Sequence, residues 1–139
     1  MANIETVDIE HLPLEHDIAH QAGDAYRKLW TLERTATSTA AVALTDVTWA
    51  LVIADAPSGG TAKLTKATTA VWTASGIYVD SAANGQFTVF VTAADIAASL
   101  PAGDYWYHVK ATFPAGSTDF ASMPLTLLAG KFTVLPALT

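Results

Sequence analysis

Three of the four histidines fall in one short window, His11, His16 and His20, with Glu10, Glu15 and Asp17 beside them. On a helix His16 and His20 would share a face, which is how helical zinc enzymes place two ligands. Pro13 and the strand pattern after Gly23 argue against that helix. In an extended chain the two rings stand apart, so a shared metal would need a fold-back or a second chain. The expectation is a solvated polar segment with no metal and no cofactor. Imidazole titration near neutrality would also let the window sense pH at a subunit contact.

Other chemistry is not assembled. No serine stands in a Gly-x-Ser-x-Gly elbow, so a nucleophile has no visible centre. Ser58-Gly59-Gly60-Thr61 lacks the following lysine and helix that a phosphate cradle needs. Asp80, Asp95, Asp104 and Asp119 lie in or near turns, where aspartate bonds local backbone. Such turns can also hold calcium without a motif. The reading is a protein that is not an enzyme and has no catalytic residues. Among the aromatics, Trp30 and Trp49 fall in phase with core rows, and Trp72 in Ala70-Val71-Trp72-Thr73-Ala74 fits either face. Trp106 and His108 are out of phase with Tyr105 and Tyr107. Trp106 is therefore the expected exposed aromatic, suited to a protein contact or to stacking on a sugar.

The elements that must position these residues are short strands. Residues 1–22 carry Ile4, Val7, Ile9, Leu12 and Leu14 at irregular spacing among acids. They predict an extended N-terminal arm entering a first strand near Ile18. Either the arm lies as an edge strand on its own domain, or those five residues reach a neighbouring subunit. From residue 23 onward apolar residues alternate. Tyr26, Trp30 and Leu32 share one face of a long strand, and a small-residue loop, 35–41, follows. Val47, Trp49, Leu51 and Ile53 form the next strand. Short strands are expected at 62–65, 69–73 and 77–79, and Asn84-Gly85 marks a hairpin launching Phe87, Val89 and Val91. The return passes Phe120, Leu125 and Leu127, and Gly130 precedes a last strand over 132–135.

One corner is more specific. Thr92 can cap a helical turn with Asp95 three residues on, the capping-box spacing. Leu100 can then plug the core, Gly103 can turn the chain into the next strand, and Tyr105 can bond back to upstream backbone as in immunoglobulin-like corners. Together the pattern predicts an all-β fold. It is an immunoglobulin-like antiparallel β-sandwich of about seven to nine short strands, with one helical turn around 93–100 and an extended N-terminal arm. The arm is residues 1–22 and the single sandwich domain is 23–139.

Composition narrows the partners. The chain has 139 residues, no cysteine and a net charge of -6 with only 7 basic residues, so nucleic acid is not an expected partner. Hydrophobic residues make up 51% and charged residues 14%, below the roughly 25% charged usual in soluble domains. Such a surface suits burial in an assembly or a homo-oligomer. No run is apolar for the length a bilayer needs, and Met1 to Glu10 lacks a basic leader region, so neither membrane insertion nor a secretory signal is expected.

The order of motifs resembles small β-sandwich domains of tailed-bacteriophage virion proteins, the LtfC-like domain and the N-terminal domain of upper baseplate proteins. The resemblance rests on Gly23-Asp24-Ala25-Tyr26-Arg27, then on Leu44-Thr45-Asp46-Val47-Thr48-Trp49. It continues through the tip Asp55-Ala56-Pro57-Ser58-Gly59-Gly60, Gly85-Gln86-Phe87-Thr88-Val89, the corner from Thr92 to Tyr107, and Gly130-Lys131-Phe132-Thr133-Val134. It covers most of the chain from about residue 20. Departures are the acidic N-terminal segment and Asp46, where glycine is common. The resemblance implies a structural component located in the virion, attached to tail, baseplate or fibre and contacting other virion proteins. A capsid decoration protein clamping subunits through its arm, or a carbohydrate-binding surface module, are the alternatives.

Overall fold

The computed structural model describes residues 4–8, 12–33, 42–116 and 122–136. Ten strands and one helix follow in the order β1 (Ile4–Asp8), β2 (Leu14–Glu15), β3 (Ile18–Gln21), β4 (Tyr26–Glu33), β5 (Thr48–Ala54), β6 (Ala62–Ala67), β7 (Gly76–Ser81), β8 (Gln86–Val91), α1 (Ala93–Ser99), β9 (Gly103–Thr112) and β10 (Pro124–Leu135). One sheet runs β1-β4-β8-β7. The other runs β2-β10-β9-β5-β6, with β3 also on β10. This is an all-β sandwich. From β4 onward the paired strands are antiparallel.

Two-residue periodicity explains the layers. In β5, Trp49, Leu51 and Ile53 are buried while Ala50, Val52 and Ala54 face outward, half covered. In β9 the inward row is Tyr105, Tyr107, Val109 and Ala111. The rows meet in one core, where the Trp49 and Phe87 rings lie 4.8 Å apart. Trp30, Trp49, Phe87 and Phe132 are each almost fully buried. Each such side chain contributes roughly 1.5–3 kcal/mol through removal from water.

Of the two readings of residues 1–22, the described parts follow the edge-strand one: they supply three strands to the sandwich, so the arm is not separate from a domain beginning at 23. β1 pairs in parallel with β4 from Ile4↔Leu29 to Asp8↔Glu33. β2 and β3 pair in parallel with β10, at Leu128↔Leu14 and from Phe132↔Ile18 to Leu135↔Gln21. The chain thus borders one sheet and then crosses to the other. Val7 and Ile18 belong to the core, and Leu12 and Leu14 pack against it half-buried. Physically, each sheet would otherwise end in an open edge above a row of apolar side chains. The boundary at residues 22 and 23 is not an edge of the folded unit, and Val7 is not available to a partner.

Two element boundaries also differ. Residues 69–73 form a turn and not a strand, because the Thr69 hydroxyl bonds both N–H and C=O of Val71 and the Ala74 N–H donates to Val71 O. β10 runs unbroken through Gly130, with a bulge at Thr126/Leu128. Ile9, His11, Phe120 and the whole 35–41 loop lie outside the described residues.

Candidate functional site

The corner at residues 92–105 is a rigid structural joint. Thr92 Oγ1 accepts from the Asp95 N–H at 3.1 Å, and Leu100 closes the turn with its N–H on Ile96 O. Asp95 does not bond back to Thr92 N–H. Ser75, from the loop before β7, takes that place: its hydroxyl accepts from Thr92 N–H at 2.9 Å and donates to Asp95 Oδ2 at 2.5 Å. Lys66 Nζ approaches the same oxygen at 3.6 Å. The Ser75 hydrogen bond, with Lys66 assisting, holds the Asp95 carboxyl below its ordinary range. Leu100 is 1% exposed, Gly103 adopts φ +153°, and Tyr105 Oη donates to Pro101 O at 2.5 Å. Burial raises the Tyr105 phenol. These residues position the chain at the corner.

A second joint ties the N-terminal segment down. His16 N–H donates to Ala129 O at 2.9 Å, Lys131 N–H donates to Asp17 Oδ1 at 2.9 Å, and Tyr107 Oη donates to His16 O at 2.6 Å. Tyr107 is buried, and its phenol is pushed well up, first by desolvation and then by Tyr26, Asp17 and Glu15. His16 packs its ring edge-on against Trp30 at 5.0 Å, while His20 Nε2 bonds Asp24 O at 2.8 Å and its ring meets Tyr26 at 5.6 Å. The two imidazoles serve packing and loop closure. Among the described residues no group of three histidines, cysteines or carboxylates could hold a metal. Among the described residues no helix is long and apolar enough to cross a membrane.

Among the described residues the aromatic most open to solvent is Trp72, not Trp106. Trp72 and its neighbour Val71 are each 56% exposed. Trp106 is half-buried on the outer face of β9, with Lys131 Nζ 5.7 Å from its ring and Lys131 paired to Asp104 at 3.4 Å. Beside it, His108 is shifted down by desolvation and by Lys110. The Val71–Trp72 tip is held from several sides. Arg27 from β4 donates to Trp72 O at 2.9 Å, and its guanidinium stacks between the rings of Trp72 and Phe90 at 4.2 and 4.3 Å. The Thr69 turn and Ser75 fix the two ends of the loop.

A cleft of about 630 Å³ opens where residues 16–19 face residues 26–29 of β4, with Asp80 and Thr88 also on its wall. Thr88, buried, donates to Asp80 Oδ1 at 2.6 Å. Sequence reasoning found neither the tip nor the cleft. Arg27 and Trp72 are 45 positions apart, and the only available signal was that Trp72 fitted no strand phase.

Compared with models of protein families and with curated proteins, the chain matches none of them.

Proposed function

We propose that this chain is a non-enzymatic structural protein of a bacteriophage virion. It acts there as a multi-copy adaptor on tail, baseplate or fibre through contacts with neighbouring virion proteins. The observation that carries a contact role is the Val71–Trp72 tip, a large aromatic presented to solvent on a loop already fixed by Arg27, Thr69 and Ser75. A pre-ordered aromatic loses little entropy on docking and is the residue type that anchors protein interfaces. The low charge content supports surface burial in an assembly. The placement in a virion rests on the motif resemblance.

The adaptor reading is preferred to capsid decoration. Decoration by threading needs an unoccupied arm, and the described parts of residues 1–22 are engaged in both sheets. The test is cryo-EM of the purified particle that carries the protein, with wild type and Trp72→Ala chains compared for incorporation. The expected result is density at tail, baseplate or fibre with Trp72 covered by a neighbour. Loss of incorporation at unchanged melting temperature should accompany the variant. A purified particle without the chain, or full incorporation of Trp72→Ala, would refute the reading.

A further inference from the structure

We propose that the outer face of the β2-β10-β9-β5-β6 sheet is a two-fold contact between two copies of this chain. A sheet face turned to water ordinarily alternates to polar residues. Here the outward row of β5 is Ala50, Val52 and Ala54, each half-buried. β9 places His108 beside Val52 and Trp106 beside Ala54, and β10 adds Ala129 on the far side of His108. The middle of the face is therefore flat and largely apolar, floored by small side chains that let a second sheet come close.

The occupant follows from the order of charges along β9. Its outward row reads Asp104, Trp106, His108, Lys110, an acid at one end and a base at the other, equally far from Tyr107. A two-fold axis lying across the strands at Tyr107 runs the β9 of a second copy antiparallel over the first. Lys110 of each copy then meets Asp104 of the other, and each Trp106 lies against the opposite His108. The parallel arrangement would set Lys110 against Lys110, so charge selects the antiparallel pair. Lys110 is exposed, and among the described residues no acid pairs with it. Asp104 holds Lys131 at 3.4 Å and Thr133 at 3.0 Å on separate oxygens, which fixes it and leaves each oxygen a further lone pair. Desolvation and Lys110 lower His108, so it faces Trp106 as a neutral ring near pH 7. Five strands about 4.8 Å apart, over seven residues of about 3.4 Å each, give a face of roughly 500 Å² per copy. A pair covers about 1,000 Å², the lower bound for a specific interface. The contact is independent of the virion reading and of Trp72, which lies against Arg27 and Phe90 on the other sheet.

The test is sedimentation velocity of the full chain from about 10 to 500 μM, a span that brackets the micromolar constant of so small an interface. Wild type should pass from monomer to dimer across it. Asp104→Lys and Lys110→Asp should each weaken dimerisation at least about tenfold, because the two-fold repeats every reversed contact. An equimolar mixture of these two variants should dimerise again, since opposite charges then face each other at both ends of β9. Val52→Arg, which alters neither charged end, should abolish the dimer by placing a guanidinium in the centre of the face. Four results would overturn the proposal: a wild-type monomer throughout, a dimer that ignores both reversals, single variants that do not recover on mixing, or a dimer that persists in Val52→Arg.

Discussion

Replacing Gly130 by alanine asks whether the N-terminal segment is truly built into the sandwich. A Cβ at this position would lie 2.3 Å from His16 O, 2.8 Å from His16 C and 2.9 Å from Asp17 Oδ1. The first two contacts are backbone, so the joint between β2 and β3 must move away from β10. That movement strains three hydrogen bonds: His16 N–H to Ala129 O, Lys131 N–H to Asp17, and Tyr107 Oη to His16 O. At a net ~0.5–1.5 kcal/mol each the loss is about 2–4 kcal/mol. Tyr107 adds to it, since its buried hydroxyl loses the acceptor that offsets its desolvation. For a domain of this size the melting temperature should fall by about 7–14 °C.

The opposing effect makes the sign decisive. Alanine in a strand interior is favoured over glycine by roughly 0.5–1 kcal/mol through backbone entropy. If residues 14–21 did not lie on β10, the variant would be neutral or more stable. Thermal unfolding by circular dichroism gives the sign, and amide exchange over residues 14–21 locates the effect. Tyr107→Phe should cost about 1–2 kcal/mol alone and combine with Gly130→Ala to less than the sum, since both act on His16 O. An unchanged or raised melting temperature for Gly130→Ala would refute the docked N-terminal segment.

Asp46 sits at φ +58°, a conformation that costs a non-glycine residue about 1–2 kcal/mol. After allowing for glycine's entropy, Asp46→Gly should stabilise by about 0.5–1 kcal/mol, read as a higher urea midpoint at unchanged slope. Asp95 has a folded pKa below the ordinary 3.8, so its stabilising contribution is complete above that value and is lost as pH falls through the lowered one. Urea midpoints between about pH 5 and pH 2 should therefore fall less steeply for Asp95→Asn than for wild type; parallel curves would remove Asp95 from the acid response.

The corner was legible because all its parts are local. Thr92 and Asp95 are three residues apart, and Tyr105 and Pro101 four apart, so spacing alone restricts what they can bond. The inward rows of β4, β5, β8 and β9 were legible for the same reason, since a strand's alternation is written in consecutive residues. Residues 69–73 failed that test because Thr69 turned the chain on itself, which alternation cannot register.

By itself the sequence determined the sandwich class, the core rows and the helical corner, because each depends on periods of two to four residues. Tertiary structure alone decided where residues 4–8 and 12–21 lie, since parallel pairing with β4 and β10 joins positions far apart and leaves no local periodicity. It decided that Trp72 faces solvent and Trp106 is half covered, because Arg27 and Lys131 reach them from other strands. It also gathered Asp17, Arg27, Asp80 and Thr88 into one cleft. Those residues share a wall only after two sheets have closed, and nothing in their order along the chain announces it.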